Sequence, residues 1–229
     1  MHRDLISIRH NEIVAGKLDL TVRLKAIVKY ALDIPFCFDP SLSDPESGPV
    51  KLLEGGIGGS CTPKHYALAY LLQEEGKWRN SQGFPELRVQ YLTFPFRFHR
   101  VMRFDGFKIE FPAHILMECI PEGHHSALGV YVGEVGRELL VDVTWDPPLA
   151  AAGFPVAASW DGRTDMALAV PYGGEKFTAA TIDKKLKHLE YLSSRPQRYR
   201  GECQTMEELT HILQAANRWF ESIRSRGDQ

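Results

Sequence analysis

The chain has few cysteines, little net charge and no long apolar run, and each shortage removes a class of function. Four cysteines, Cys37, Cys61, Cys119 and Cys203, are spread over 229 residues with no Cys-x-x-Cys pair. That spacing supports neither a disulfide framework nor a thiolate zinc site. Of nine histidines only His124 and His125 are clustered, and neighbours on a strand point to opposite faces, so they make a poor metal pair. No metal and no cofactor is expected. Lysine and arginine number 27 against 29 aspartates and glutamates, a formal charge of -2, which leaves no electrostatic footprint for nucleic acid or an anionic membrane. No apolar stretch is long enough to span a bilayer, and the opening MHRDLISIRHNE has no basic segment leading into an apolar one. A cytoplasmic protein with neither nucleic-acid nor membrane partners is the expectation.

What is present is an ordinary globular composition, 44% hydrophobic and 24% charged, enough to bury one substantial core. Leu20, Leu24, Ile27, Val28, Ala31 and Leu32 recur at helical spacing, and Pro35 ends the pattern. Residues 39–50, rich in Asp, Ser and Pro, read as a surface loop. A second helix is expected from Cys61 to about Glu75, with Ser60 or Thr62 as cap, Pro63 in the first turn and Gly76 as the stop. Five strand-like segments follow, at Leu87–Leu92, Phe107–Phe111, Ile115–Ile120, Ala127–Val132 and Glu138–Thr144, at least four of them suited to one antiparallel sheet. Asp146–Tyr172 reads as irregular loop over one side of that sheet. Helix returns at Ile182–Leu192 and Met206–Ile223, the latter opened by the capping-box pattern Thr205-x-x-Glu208. Helices, then antiparallel strands, then helices give an α+β fold.

The chemistry concentrates at Gly58-Gly59-Ser60-Cys61-Thr62-Pro63-Lys64, where a glycine-rich turn delivers a cysteine to a helix start. Unpaired N–H groups and a partial positive charge there favour thiolate over thiol. A thiolate nucleophile needs a base, and the base an orienting carboxylate or amide. The strands ALGVYV and LLVDVTW form a hairpin around Gly133–Arg137 and supply both. Burying Leu128, Val130 and Val132 with Leu139, Val141 and Val143 on one face leaves His125 and Asp142 together on the other. The register this requires has an odd pairing sum, for example Gly133 opposite Glu138; a slip of one residue selects His124 instead. His124 is otherwise expected as an exposed loop residue, Asp146 as a turn former capping the strand, and Lys64 as solvated. His65 stands in the first turns of the cysteine helix with no role fixed. The run Phe94-Pro95-Phe96-Arg97-Phe98-His99 suits core packing or the wall of a substrate cleft.

Three blocks together resemble the transglutaminase-like superfamily of papain-like cysteine enzymes over roughly residues 20 to 148. They are RLKAIVKYALDIPF, the turn and helix LLEGGIGGSCTPKHYALAYLLQEEG, and the strands HHSALGVYV and LLVDVTWDP. Cys61, His125 and Asp142 fall in the family's Cys, His, Asp order, 64 and 17 residues apart. Where family His strands often read His, small, aromatic, then an acidic residue two further on, this chain has His125-Ser126-Ala127 and Gly129. The resemblance implies a catalytic core over residues 1–175, with a nucleophile-bearing helix packed on the sheet. Residues 176–229 would form a helical extension on it, within one structural unit. It also implies a thiol-dependent hydrolase or acyltransferase acting on a peptide, protein or small amide, hydrolysis favoured over transamidation. An arylamine N-acetyltransferase-like enzyme is an alternative with the same triad order, although Ile57 stands where that family usually has Arg before Gly-Gly. A binding protein on the same fold is another.

Overall fold

The computed structural model describes residues 2–42, 44–120, 123–171, 175–193 and 205–227; Tyr172, at the end of the expected loop, and Cys203 lie outside them. Four helices come first: α1 (His2–Val14), α2 (Leu20–Asp33), α3 (Ser47–Glu54) and α4 (Cys61–Ser81). Six strands follow, β1 (Leu87–Phe96), β2 (Val101–Phe104), β3 (Phe107–Glu110), β4 (Gly123–Val132), β5 (Arg137–Val141) and β6 (Phe177–Ala179). Helices α5 (Ile182–Ser193) and α6 (Met206–Gly227) close the chain. The fold is α+β, with an antiparallel sheet in the order β5-β4-β1-β6 and a separate β2-β3 hairpin. Among the described residues no helix is long and apolar enough to cross a membrane.

Helix α4 lies across β1 and β4 because Ala67, Leu68, Leu71 and Leu72 meet Leu128, Val130, Leu139 and Val141 in one buried cluster. The hairpin has the expected odd-sum parity and a four-residue connection, set one residue earlier on each strand than Gly133 opposite Glu138: Val132 faces Arg137 and Leu128 faces Val141. All six residues assigned to the buried face are in the core. The opposite face is thinner, with Leu92, Phe94, Ala127 and Leu168. A third cluster, built on Phe36, Phe111, Trp145, Phe154 and Phe220, seats α6 against residues 147–154.

Several elements depart from the sequence pattern for identifiable reasons. Helix α1 buries Ile6, His10 and Val14 at four-residue spacing, and the histidine in the middle hides the stripe. Helix α3 occupies part of the expected loop: Asp44 Oδ1 accepts the N–H groups of Glu46 and Ser47 at 3.2 and 2.7 Å, so the Asp-Pro-Glu-Ser-Gly run starts a helix. Gly76 does not stop α4; it lies inside the helix, where a Cβ would come within 2.9 Å of the Leu87 carbonyl oxygen. Glycine there permits close approach of β1. Ile115–Ile120 is not a strand but turn and 3-10 helix, although Ile115, Met117 and Cys119 are buried at alternate positions. Phe107–Glu110 pairs with β2 outside the main sheet, and the three-residue β6 takes its place at the edge.

Candidate active site

The glycine turn reaches its position by pairing with the chain after α2. Gly59 donates to Pro35 O at 2.9 Å and accepts from Cys37 N at 3.3 Å. A Cβ on Gly58 would stand 2.5 Å from that same Pro35 oxygen, so a side chain would push the turn away. Ser60 is the N-cap of α4 and makes no side-chain capping bond; Pro63, the third helical residue, has no N–H to cap. The N–H groups of Cys61 and Thr62 therefore stand at the positive end of a 21-residue helix.

The structure brings Cys61, His125 and Asp142 together. His125 Nε2–H donates to Asp142 Oδ2 at 2.7 Å, which leaves Nδ1 as the ring nitrogen for Cys61. The carboxylate is fully satisfied: it also accepts the Ala169 N–H at 2.8 Å, the Thr144 N–H at 3.1 Å and the Thr144 hydroxyl at 2.7 Å. Burial disfavours charge on Asp142, but the His125 charge and these hydrogen bonds hold its carboxyl well below the usual carboxylate range. Burial also opposes the imidazolium of His125, yet Asp142 and a hydrogen bond to Cys61 lift it to about 10. For Cys61, burial raises the thiol; the hydrogen bond and charge of His125, the Ser126 N–H and the charge of Lys185 outweigh it and bring the pKa below its ordinary value. Cys37 behaves oppositely, since burial and Asp39 push its thiol up to about 11.

Neighbouring residues correct the sequence reading. Lys64 is fully buried, not solvated, and donates to the carbonyls of Leu32, Ile34 and Thr144 at 3.4, 2.6 and 3.1 Å. Burial pulls it down to about 7 against the attraction of Asp146 and Asp142. Asp146 is no simple turn former: it accepts Phe36 N–H at 2.7 Å and forms a two-pronged pair with Arg224 of α6, at 2.7 and 2.8 Å. His65 Nε2 accepts the Val143 N–H, so its proton is on Nδ1, which donates to Cys61 O. Burial drives His65 down to about 3 despite Asp142; its 3.5 Å approach to Asp142 Oδ1 is thus a contact of a neutral ring. His124 is half-buried on β4, beside the site.

A cavity of about 200 Å³ opens at Cys61 and His125. Its walls are mainly Phe36, Phe38, Phe96, Phe98 and Trp145, with Thr144 and His124 among the polar lining. Phe96 and Phe98 of the aromatic run thus face the site, whereas Phe94 packs on the thin side of the sheet beside the His125 ring. The residue that sequence reasoning missed altogether is Lys185. It occupies the stripe made by Ile182, Leu186 and Leu189, and a lysine inside an apolar stripe is the signal that marks it.

No protein-family model matches the chain, and neither does any curated protein or any solved structure.

Proposed function

We propose that this protein is a thiol acyl-transfer enzyme of the transglutaminase-like kind, cytoplasmic, acting on a peptide or amide carbonyl. One observation carries the reading: a buried carboxylate holds His125 Nε2 at 2.7 Å while the same ring lowers the Cys61 thiol. The Cys61 thiolate adds to the carbonyl carbon, and the carbonyl electron pair moves to oxygen. The N–H groups at the start of α4 face that developing charge. Collapse expels the amine, which takes the proton of His125, and leaves an acyl group on Sγ. The neutral imidazole then deprotonates water, or an acceptor amine, for release. Asp142 fixes the ring and stabilises its charged form.

The cavity supports a substrate class. None of its lining among the described residues carries a carboxylate, ammonium or guanidinium, and the His125 imidazolium is already committed to Asp142 and Cys61. A charged substituent would therefore enter without a partner of its own. An apolar cavity of about 150 Å³ holds a benzene ring, and this one, of about 200 Å³, suits an aromatic or branched apolar group next to the scissile carbonyl.

Intact-mass spectrometry after exposure to activated acetyl, phenylacetyl and succinyl donors tests the reading. The expected result is a phenylacetyl adduct on Cys61, formed faster than the others and turned over on standing, and absent in Cys61→Ser. Equal labelling by all donors, or no adduct in the wild type, rejects it, the latter in favour of a binding role.

A further inference from the structure

Lys185 of α5 is fully buried, and its ammonium has too few acceptors around it. Among the described residues Nζ has one hydrogen-bond acceptor, Ser126 Oγ at 2.7 Å. The faces of Tyr66 and Tyr91 lie 4.9 and 5.9 Å from it. An ammonium has three N–H donors and a full charge, so one hydroxyl and two ring faces leave it undercompensated. The same hydroxyl contacts Thr62 Oγ1 at 3.1 Å, and Thr62 Oγ1 lies 3.9 Å from Cys61 Sγ. Ser126 and His125 are adjacent on β4 and point to opposite faces, so Lys185 and His125 approach the sulfur from different sides of one strand.

Charge balance assigns the missing anion. Asp142 and an imidazolium at His125 cancel, so a thiolate at Cys61 would leave the buried cluster with one net negative charge. Lys185 brings it to zero. The other titratable groups facing this cluster are Tyr66, His65 and Lys64 from α4 and Tyr91 from β1. Burial draws Lys64 down to about 7 against the attraction of Asp146 and Asp142, whereas Lys185 is the lysine whose charge acts on Cys61. Burial keeps both phenols protonated, since each is raised above its ordinary value, and keeps His65 uncharged.

We propose that Lys185 is the counter-charge of the Cys61 thiolate, a positioning residue held by Ser126 Oγ that keeps the nucleophile ionised before substrate arrives. This rests on the thiol-enzyme reading of Cys61. It predicts the resting form of the site as thiolate, imidazolium, carboxylate and ammonium together. Burial lowers Lys185 to about 8, with the Cys61 charge pulling the other way. Removing the thiolate should therefore release the Lys185 proton more easily.

The test is the pH dependence of Cys61 alkylation by iodoacetamide, read by peptide mapping in wild type and Lys185→Met, with circular dichroism as the check on folding. Losing the opposite charge should move the inflection of the alkylation profile about one pH unit higher. A low wild-type thiol pKa that Lys185→Met leaves unchanged overturns the proposal and spares the enzyme reading. An ordinary pKa in the wild type overturns both. If Lys185→Met fails to fold, Ser126→Ala decides, because it frees Nζ with little change in volume. A smaller rise of the same sign supports the proposal, and no change refutes it.

Discussion

His65 Nδ1–H donates to the carbonyl oxygen of Cys61 at 2.6 Å, and the other nitrogen of the ring accepts the Val143 N–H at 3.1 Å. One neutral side chain thereby ties the first turn of α4 to the strand end that carries Asp142. The β4–β5 ladder stops at Val141, so this bond takes over where sheet pairing ends. His65→Phe keeps an aromatic ring in place, deletes both bonds and orphans the Val143 N–H, while the Cys61 carbonyl still accepts within α4. We expect a loss of about 1–3 kcal/mol in urea unfolding. A change of only a few tenths would show that the brace does not matter.

Asp142 should be the most sensitive member of the site. Asp142→Ala leaves His125 buried beside three unpaired donors, and the expected loss is about 3–5 kcal/mol. Its effect on pH dependence has a definite sign. His125 rises in the folded protein from 6.5 to about 10, so its contribution to stability is complete below about 6.5 and is lost as pH climbs through 10. In a Cys61→Ser background, where no thiol titrates against the imidazole, urea midpoints should therefore fall as pH rises from about 6.5, and adding Asp142→Asn should flatten the fall. Parallel curves would contradict the His125–Asp142 pair.

Arg224 connects α6 to the site's wall. It donates to Asp146 and to Phe36 O at 2.7 Å, and Phe36 lines the cavity while packing on Phe220 of the same helix. Arg224→Ala leaves a buried carboxylate unpaired, so a loss of about 3 kcal/mol is expected. Acyl-donor discrimination should weaken with it, because the aromatic wall loses its anchor. Unchanged selectivity in a folded variant would separate α6 from the cavity.

Gly76→Ala sets helix propensity against packing. Alanine gains about 1 kcal/mol in a helix interior, but its Cβ would meet a main-chain oxygen at 2.9 Å, and overpacking of this kind costs about 1–3 kcal/mol. The variant should unfold at lower urea than wild type. Stabilisation would show that β1 can move away at little cost.

Much of this arrangement is legible in the sequence where local pattern and tertiary packing agree. The Leu20–Leu32 stripe forms α2, and the Thr205–Glu208 box forms both its bonds, each at 3.1 Å. The alternation of the hairpin selects His125 over His124. Pattern fails where burial depends on distant partners. Lys64 reads as solvent-facing, and Lys185 goes unmarked, because their acceptors come from segments 30 to 80 residues away. His10 breaks the stripe of α1 because it is buried against Glu75 Oε2 at 2.9 Å, an acceptor on α4. At Ile115–Ile120, alternating burial imitates a strand without any pairing.

The central claim is that Cys61 is a thiolate held by His125. Alkylation of Cys61 against pH, in wild type and His125→Ala, tests it most directly, with Cys37 as the internal reference. The account predicts reaction of wild-type Cys61 with an inflection below the ordinary thiol value, a return towards that value in His125→Ala, and little labelling of Cys37 until strongly alkaline pH. A Cys61 that titrates as an ordinary thiol, alike in both proteins, would contradict it.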